Sequence, residues 1–140
     1  MATESSAGAV IFMKADGERL YLLLHYESGH WDFVKGNIEQ GEEEKDTVIR
    51  ETQEETGITD ITFLQDFRET IYYFYTRQGR KISKQAVFYL AETEEEKISL
   101  SDEHVGYEWL DYGSAMQRIT YNNSKDVLER ADKYLKNRNQ

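Results

Sequence analysis

Apolar β-type residues form two runs near the start of the chain. They lie in residues 8–26, GAVIFMKADGERLYLLLHY, on either side of Asp16-Gly17. This pair of residues accepts the positive φ angles of a tight turn, so the pattern predicts a β-hairpin. A short strand is expected at 31–34, WDFV, and a loop with two glycines is expected from Lys35 to Gly41.

Helical spacing is found in two segments. Residues 42–56, EEEKDTVIRETQEET, are the strongest helix candidate, and Gly57 stands where a helix commonly ends in the left-handed conformation. Residues 124–138, SKDVLERADKYLKNR, place their apolar positions on one helical face. Ser124 is the expected N-cap of this second helix.

The remaining segments read as strands and connections. Strands are expected at 61–67, 68–76, 84–92 and 107–110, with a turn at Gln78-Gly79 between the second and third of them. The charged run TEEEK at 93–97 is expected to be a solvated connection. The order of strands, helix, strands and helix predicts one mixed α/β domain over 1–140, in which helices cover a sheet.

Three glutamates gather in the last turns of the first predicted helix. At about 100° per residue, Glu51, Glu54 and Glu55 share one sector of the helix, and Arg50 can reach Glu54 one turn later. The neighbouring sector, which is expected to pack on the sheet, holds Val48, Ile49, Thr52 and Thr56.

Carboxylates at this position oppose helix formation. Like charges at these spacings cost about 0.2–0.5 kcal/mol per pair, and the negative end of the helix dipole adds a few tenths. A solvated helix surface is the simple interpretation. A bound divalent cation would reverse the sign of every one of these effects, and carboxylate oxygens suit Mg²⁺ or Mn²⁺.

The composition disfavours or excludes several classes of function. The 140 residues carry a formal net charge of −10, which disfavours non-specific binding to nucleic acid or to an anionic membrane. No apolar run approaches the roughly 20 residues of a membrane span. The chain has no cysteine, so thiolate chemistry and disulfides are excluded. The N-terminus does not resemble a signal peptide, and a cytoplasmic location is the expectation.

The segment GNIEQGEEEKDTVIRETQEETGI, from Gly36 to Ile58, resembles the Nudix box G-x5-E-x7-R-E-U-x-E-E-x-G-U, where U is a bulky aliphatic residue. The positions in register are Gly36, Glu42, Arg50, Glu51, Glu54, Glu55, Gly57 and Ile58. Thr52 departs from the first U position. The resemblance implies the Nudix fold, a mixed sheet between helices, and hydrolysis of a nucleoside diphosphate linked to another group.

The resemblance also implies roles for these residues. Metal ligands for Mg²⁺ or Mn²⁺ would be Glu51, Glu54 and Glu55, with the Gly36 carbonyl and the loop residue Glu103 as further candidates. The catalytic base would be Glu51, Glu55 or Glu103. Arg50 and Glu42 would orient the carboxylates, because clustered ligands need supporting partners.

A weaker likeness links most of the chain to one branch of the family, the asymmetric diadenosine tetraphosphate hydrolases. It rests on the stretches at 6–12, 22–31, 35–36, 68–73, 84–92 and 100–110. Val34 stands where that branch usually has proline. This likeness implies a nucleotide polyphosphate substrate, a phosphate contact from Lys84 and an adenine ring stacked on Tyr72.

Three further residues are weaker candidates for substrate binding. Tyr121 could form a second wall for the base, and His30 and Lys35 could contact phosphates. For each, an ordinary structural role is the alternative: a surface charge, a strand cap or a packed aromatic. Other Nudix substrates stay open, namely RNA 5′ ends, ADP-ribose or an oxidised nucleoside triphosphate. A non-catalytic nucleotide-binding module also stays open, and a monomer or weak dimer is expected.

Overall fold

The computed structural model describes residues 2–138. The elements in chain order are β1 Ala2–Ala15, β2 Glu18–Tyr26, β3 Trp31–Asp32, β4 Val34–Asn37, α1 Glu44–Thr56, β5 Thr62–Phe63, β6 Glu69–Arg77, β7 Arg80–Glu92, β8 His104–Leu110, α2 Tyr112–Arg118 and α3 Asn122–Asn137. Between residues 2 and 138, no helix is both long and apolar enough to cross a membrane.

The strands form one mixed sheet with β1 at its centre. Strand β1 pairs antiparallel with β2 and parallel with β7, and β4 pairs with its first half. Strand β8 extends the sheet beyond β2, and β6 forms a hairpin with β7. The predicted mixed α/β sheet is therefore confirmed, as are both hairpins.

Alternating residues of the central strands contribute side chains to two hydrophobic cores, one on each face of the sheet. On one face, Val10 and Phe12 of β1 pack with residues of α2 and α3, and on the other, Ala9 and Ile11 pack with Val48 of α1. Side chains on successive strand positions point to opposite faces, so the sheet lies between the helices as expected. The hydroxyl of Tyr21 ties α3 to the sheet by donating to Oδ1 of the buried Asp132 at 2.6 Å.

The predicted turns have the expected backbone. Both residues of the first hairpin turn have positive φ, 51° at Asp16 and 81° at Gly17. The second turn is similar, with 53° at Gln78 and 74° at Gly79. Gly57 ends α1 in the left-handed conformation with φ 79°, as the sequence predicts.

Two expectations about strands are wrong. The loop expected from Lys35 begins only after Asn37, because Lys35 and Gly36 pair with β1 in β4. This pairing involves residues far away in sequence, so no local pattern marks it. Of the strand expected at 61–67, only Thr62–Phe63 forms, and the positive φ of Asp66, 63°, marks a turn before β6.

The helices differ from expectation at three places. Helix α3 begins at Asn122 with Tyr121 as its N-cap, so Ser124 is not the cap but a buried residue of the first turn. The short helix α2 was not expected. The sequence predicts Ile49 in the stripe that packs on the sheet, but the residue is 46% exposed, and Thr47 is buried instead.

The charged connection at 93–97 is more than a solvated loop. Thr93 is buried, and its hydroxyl donates to the carbonyl of Asp60. The Glu95 carboxylate accepts from the backbone N–H groups of Thr59 and Asp60. These contacts pin the connection to the segment that follows α1.

Candidate active site

The C-terminal half of α1 borders a cavity of about 540 Å³. Helix α1 packs against β1 and β4, and this places its acidic face beside the short strand that carries Lys35 and Gly36. The residues of the predicted metal and catalytic set all line this cavity: Gly36, Arg50, Glu51, Glu54, Glu55 and Glu103. Glu103 joins the others from the turn before β8.

Gly36 allows Glu51 to approach the backbone of β4. A Cβ atom built on Gly36 would lie 2.0 Å from Oε2 of Glu51 and 2.1 Å from its Cδ. Any side chain at this position would therefore collide with the carboxylate. The glycine of the motif is explained by this contact and not by its φ angle.

Arg50 organises the acidic cluster. Its Nε and Nη2 donate to both oxygens of Glu42, at 2.7 and 3.0 Å, and Nη2 also donates to the Asn37 carbonyl. Its Nη1 donates to Glu51 and Glu54, both at 3.3 Å. The Arg50 guanidinium lowers the pKa of Glu42 to about 2, so this carboxylate is a permanent anchor for the arginine. The predicted contact between Arg50 and Glu54 is confirmed.

Two glutamates of this cavity, Glu51 and Glu55, have pKa values above the ordinary value of a glutamate. Burial, together with the charge of Glu55, raises the pKa of Glu51 to about 7, although Arg50 opposes the shift. Burial also raises the pKa of Glu55, even though His104 opposes it. The site therefore concentrates negative charge that the protein itself only partly neutralises.

The oxygen atoms in this cavity fit a hard divalent cation. Five of the side chains that line it are carboxylates, those of Glu39, Glu51, Glu54, Glu55 and Glu103, and Oε1 of Glu55 is buried without a hydrogen-bond partner. Across residues 2–138, no three His, Asp or Glu side chains are already grouped as a metal centre, and Arg50 engages Glu51 and Glu54. Binding an ion would require these side chains to converge.

A second cavity of about 740 Å³ opens beside the first one. Aromatic rings form much of its lining: Tyr26, His30, Tyr73, Phe74, Tyr75 and Tyr121. The His30 ring stacks on Tyr26, with centroids 4.5 Å apart and planes 8° apart, and lies 5.5 Å from the Tyr121 ring. Such flat apolar walls suit a nucleobase.

Two lysines stand where the cavities meet. Lys35, Lys84 and Tyr26 are the described residues that line both cavities. Burial acts to lower the pKa of Lys35. The Asp32 carboxylate, 3.4 Å from the Lys35 ammonium, acts in the opposite direction, and the pKa of Lys35 is raised overall. Burial lowers the pKa of Lys84, which lies 3.2 Å from the side-chain oxygen of Asn37.

The structure brings most of the predicted substrate residues together. His30 and Tyr121 line the aromatic cavity, and Lys35 and Lys84 join it to the acidic one. Tyr72 is the exception: the residue is 66% exposed and lines neither cavity. This exposure also excludes the alternative of an aromatic packed within the sheet.

Sequence reasoning missed three residues of the site. Tyr73 lines the aromatic cavity in place of Tyr72, because the β6 register turns the next side chain inward. Tyr26 lies at the end of the first hairpin, where it reads as a framework residue. His104 is buried 3.2 Å from Glu55, and its place directly after Glu103 was the only signal in the sequence.

Comparisons with known proteins agree with this geometry. A family model described as NUDIX domain matches residues 3–131. The asymmetrical bis(5′-nucleosyl)-tetraphosphatase of Rattus norvegicus is 34% identical over 93% of this chain and 94% of its own length. The enzyme of that name from Caenorhabditis elegans is 33% identical over 93% of this chain and 95% of its own length.

A solved structure shows the same likeness. The crystal structure of a C. elegans Ap4A hydrolase binary complex has a TM-score of 0.81 and 30% sequence identity, covering 96% of this chain and 98% of that chain. The family model and relatives of this similarity span nearly the whole chain. The chain therefore belongs to the Nudix family and is a Nudix pyrophosphohydrolase.

Proposed function

We propose that this protein hydrolyses a phosphoanhydride bond of dinucleoside polyphosphates, and that diadenosine tetraphosphate gives ATP and AMP. One observation carries the proposal: an aromatic cavity and an acidic cavity meet at Lys35 and Lys84. The parts of a nucleoside polyphosphate follow the same order as these cavities: a flat base, then negatively charged phosphates, then the phosphoanhydride bond that is hydrolysed. The relatives named as asymmetrical tetraphosphatases support this choice.

The aromatic cavity would hold one adenine. Stacking on rings such as Tyr73 or Tyr121, which line this cavity, is worth about 1–3 kcal/mol per base. The two lysines would then face the phosphates that leave the base cavity. Their side chains are only 17% and 16% exposed, so the charges act where water screens them less than at the surface.

The acidic cavity would hold Mg²⁺ or Mn²⁺. The proposed ligands are Glu51, Glu54, Glu55 and Glu103, which line this cavity together with Gly36, whose carbonyl is a further candidate. When bound, such an ion neutralises phosphate charge and lowers the pKa of a coordinated water. Arg50, anchored by Glu42, holds two of the glutamates in the cavity.

A glutamate would accept the proton of the attacking water. The water oxygen forms a new bond to phosphorus while the bridging oxygen leaves with the other phosphate chain. Glu51, Glu55 and Glu103 are the candidate bases, because all three carboxylates line the acidic cavity. The Arg50 contact keeps Glu51 beside the cavity during this transfer.

A substrate panel tests the proposal. Diadenosine tetraphosphate, 5′-triphosphorylated RNA, ADP-ribose and an oxidised nucleoside triphosphate are compared at equal concentration with Mg²⁺. The proposal expects preference for the dinucleotide, and ¹⁸O-labelled water identifies the attacked phosphorus. Preference for a monomeric nucleotide or an RNA end would contradict the substrate, and absence of turnover on every substrate would favour a non-catalytic binding module.

Several expectations stay predictions alongside this function: one domain over residues 1–140, a monomer or weak dimer, a cytoplasmic location, and no binding to membranes or non-specifically to nucleic acid. The net charge of −10 is what supports the last of them.

A further inference from the structure

His104 lies behind the acidic cavity as the first residue of β8. Its side chain is fully buried, with Nε2 3.2 Å from Oε1 of Glu55 and Nδ1 3.0 Å from the hydroxyl of Ser101. The Nε2 to Oε1 contact lies off the line of a good hydrogen bond. Within residues 2–138, neither atom has a hydrogen-bond partner. Two buried polar atoms that lie 3.2 Å apart, each without a hydrogen-bond partner, call for an explanation.

The imidazole ring is fixed by its surroundings. The ring of Tyr26 packs against it with centroids 4.5 Å apart and planes at 60°, and Tyr26 itself is held by a 2.6 Å hydrogen bond from its hydroxyl to the Phe33 carbonyl. The backbone N–H of His104 donates to the Ser101 carbonyl. The ring therefore has little freedom to turn away from Glu55.

The neighbours of the ring decide which nitrogen carries the proton of the neutral imidazole. An ionised carboxylate can only accept, whereas the Ser101 hydroxyl can donate to Nδ1. The reverse arrangement would leave the Nε2 lone pair facing a carboxylate oxygen, which is repulsive. The favourable tautomer has the proton on Nε2, on the side of the ring nearest Glu55, where a small turn of either side chain would complete the hydrogen bond.

We propose that His104 is a positioning residue that holds Oε1 of Glu55 through its Nε2 proton, and so presents the other oxygen to the acidic cavity. The inference rests on the proposed function, because Glu55 matters there as a metal ligand or base. Partners that orient ligands in this way are typically worth 10–100-fold in metal affinity or activity. The Ser101 hydroxyl contacts Nδ1 and so favours this tautomer.

Two substitutions separate positioning from simple packing. His104→Leu fills the space without a donor, whereas His104→Gln places an amide N–H near the position of Nε2. Mn²⁺ binding, followed by the paramagnetic resonance of the free ion, should weaken by about 10–100-fold in the leucine variant and recover to within a few-fold of wild type in the glutamine variant. His25→Leu, which removes a histidine stacked on Trp31, is the matched control and should bind Mn²⁺ normally.

The inference is overturned if the leucine variant binds Mn²⁺ like wild type, or if both variants lose the same affinity. A second readout needs neither metal nor substrate. Nitrogen-15 NMR of the imidazole should show the proton of neutral His104 on Nε2, and a proton on Nδ1 would refute the contact. Absence of Mn²⁺ binding in the wild-type protein would refute the proposed metal site. In that case the tautomer measured by NMR would still test the contact between His104 and Glu55.

Discussion

Gly36→Ala is expected to lower kcat by at least about 100-fold without unfolding the protein. The new Cβ would lie 2.0 Å from Oε2, 2.1 Å from Cδ and 2.5 Å from Cγ of Glu51. Gly36 is not in the left-handed region, so alanine adopts its backbone conformation without strain. The colliding atoms belong to a flexible side chain, and the collision is relieved by moving the Glu51 carboxylate.

The size of that movement sets the expected loss. Ordinary contact begins near 3.4 Å, so Oε2 must retreat by about 1.4 Å from its 2.0 Å position. A misplacement of about 1 Å can lower a rate by about 100-fold, which corresponds to about 2.7 kcal/mol in activation free energy. We therefore expect kcat for diadenosine tetraphosphate to fall by at least about 100-fold. The free energy of unfolding should change by no more than about 1 kcal/mol.

Two other glycines provide matched controls. A Cβ on Gly8 would lie 2.1 Å from the carbonyl oxygen of Val34, a backbone atom within the sheet, so Gly8→Ala should destabilise the fold itself. A Cβ on Gly106 of β8 would come no closer than 3.7 Å to any described atom outside its chain neighbours, so Gly106→Ala should change neither property. Steady-state hydrolysis and urea unfolding are measured for all three variants. A Gly36→Ala protein with wild-type kcat, or one as unstable as Gly8→Ala, would refute the reasoning.

Three further predictions concern stability. In the metal-free protein the pKa of Glu51 is raised to about 7 from its ordinary 4.5, so its ionisation opposes folding as pH rises through this range. In urea titrations with EDTA, Glu51→Gln should therefore be more stable than wild type above pH 7. The two proteins should be equally stable below pH 4.5. Arg50 lowers the pKa of Glu42 to about 2, so the stability that Glu42→Gln loses should be complete above pH 4.5 and disappear as pH falls through 2 in acid-unfolding titrations. Tyr21→Phe removes the hydrogen bond to buried Asp132 and should lower the free energy of unfolding by about 1.5–3 kcal/mol in urea titrations, with kcat unchanged.

The sequence predicted how the three glutamates of α1 group, because these residues are local. Glu51, Glu54 and Glu55 lie within two turns of one helix, so helical geometry alone places them together. Gly57 is equally local, since its left-handed φ ends that helix. The pairing of β4 with β1 was missed, because it depends on contacts between residues about 30 positions apart.

The aromatic half of the site was harder to predict. In the run IYYFY, a shift of one residue exchanges the faces of Tyr72 and Tyr73, and only the pairing with β7 fixes the register. His104 lies far from Glu55 in the sequence, and their contact forms only when β8 joins the sheet beside β2. Ile49 illustrates the limit of helical periodicity, since it borders the buried stripe and is still 46% exposed.

The most direct test of the central claim is product analysis of diadenosine tetraphosphate with Mg²⁺, comparing wild type with the Glu54→Gln/Glu55→Gln double variant. Chromatography should show equal amounts of ATP and AMP from the wild type. The double variant should give no product while its circular dichroism and unfolding midpoint stay close to those of wild type. Two equivalents of ADP from the wild type, or normal turnover by the double variant, would contradict an acidic site that supports asymmetric cleavage.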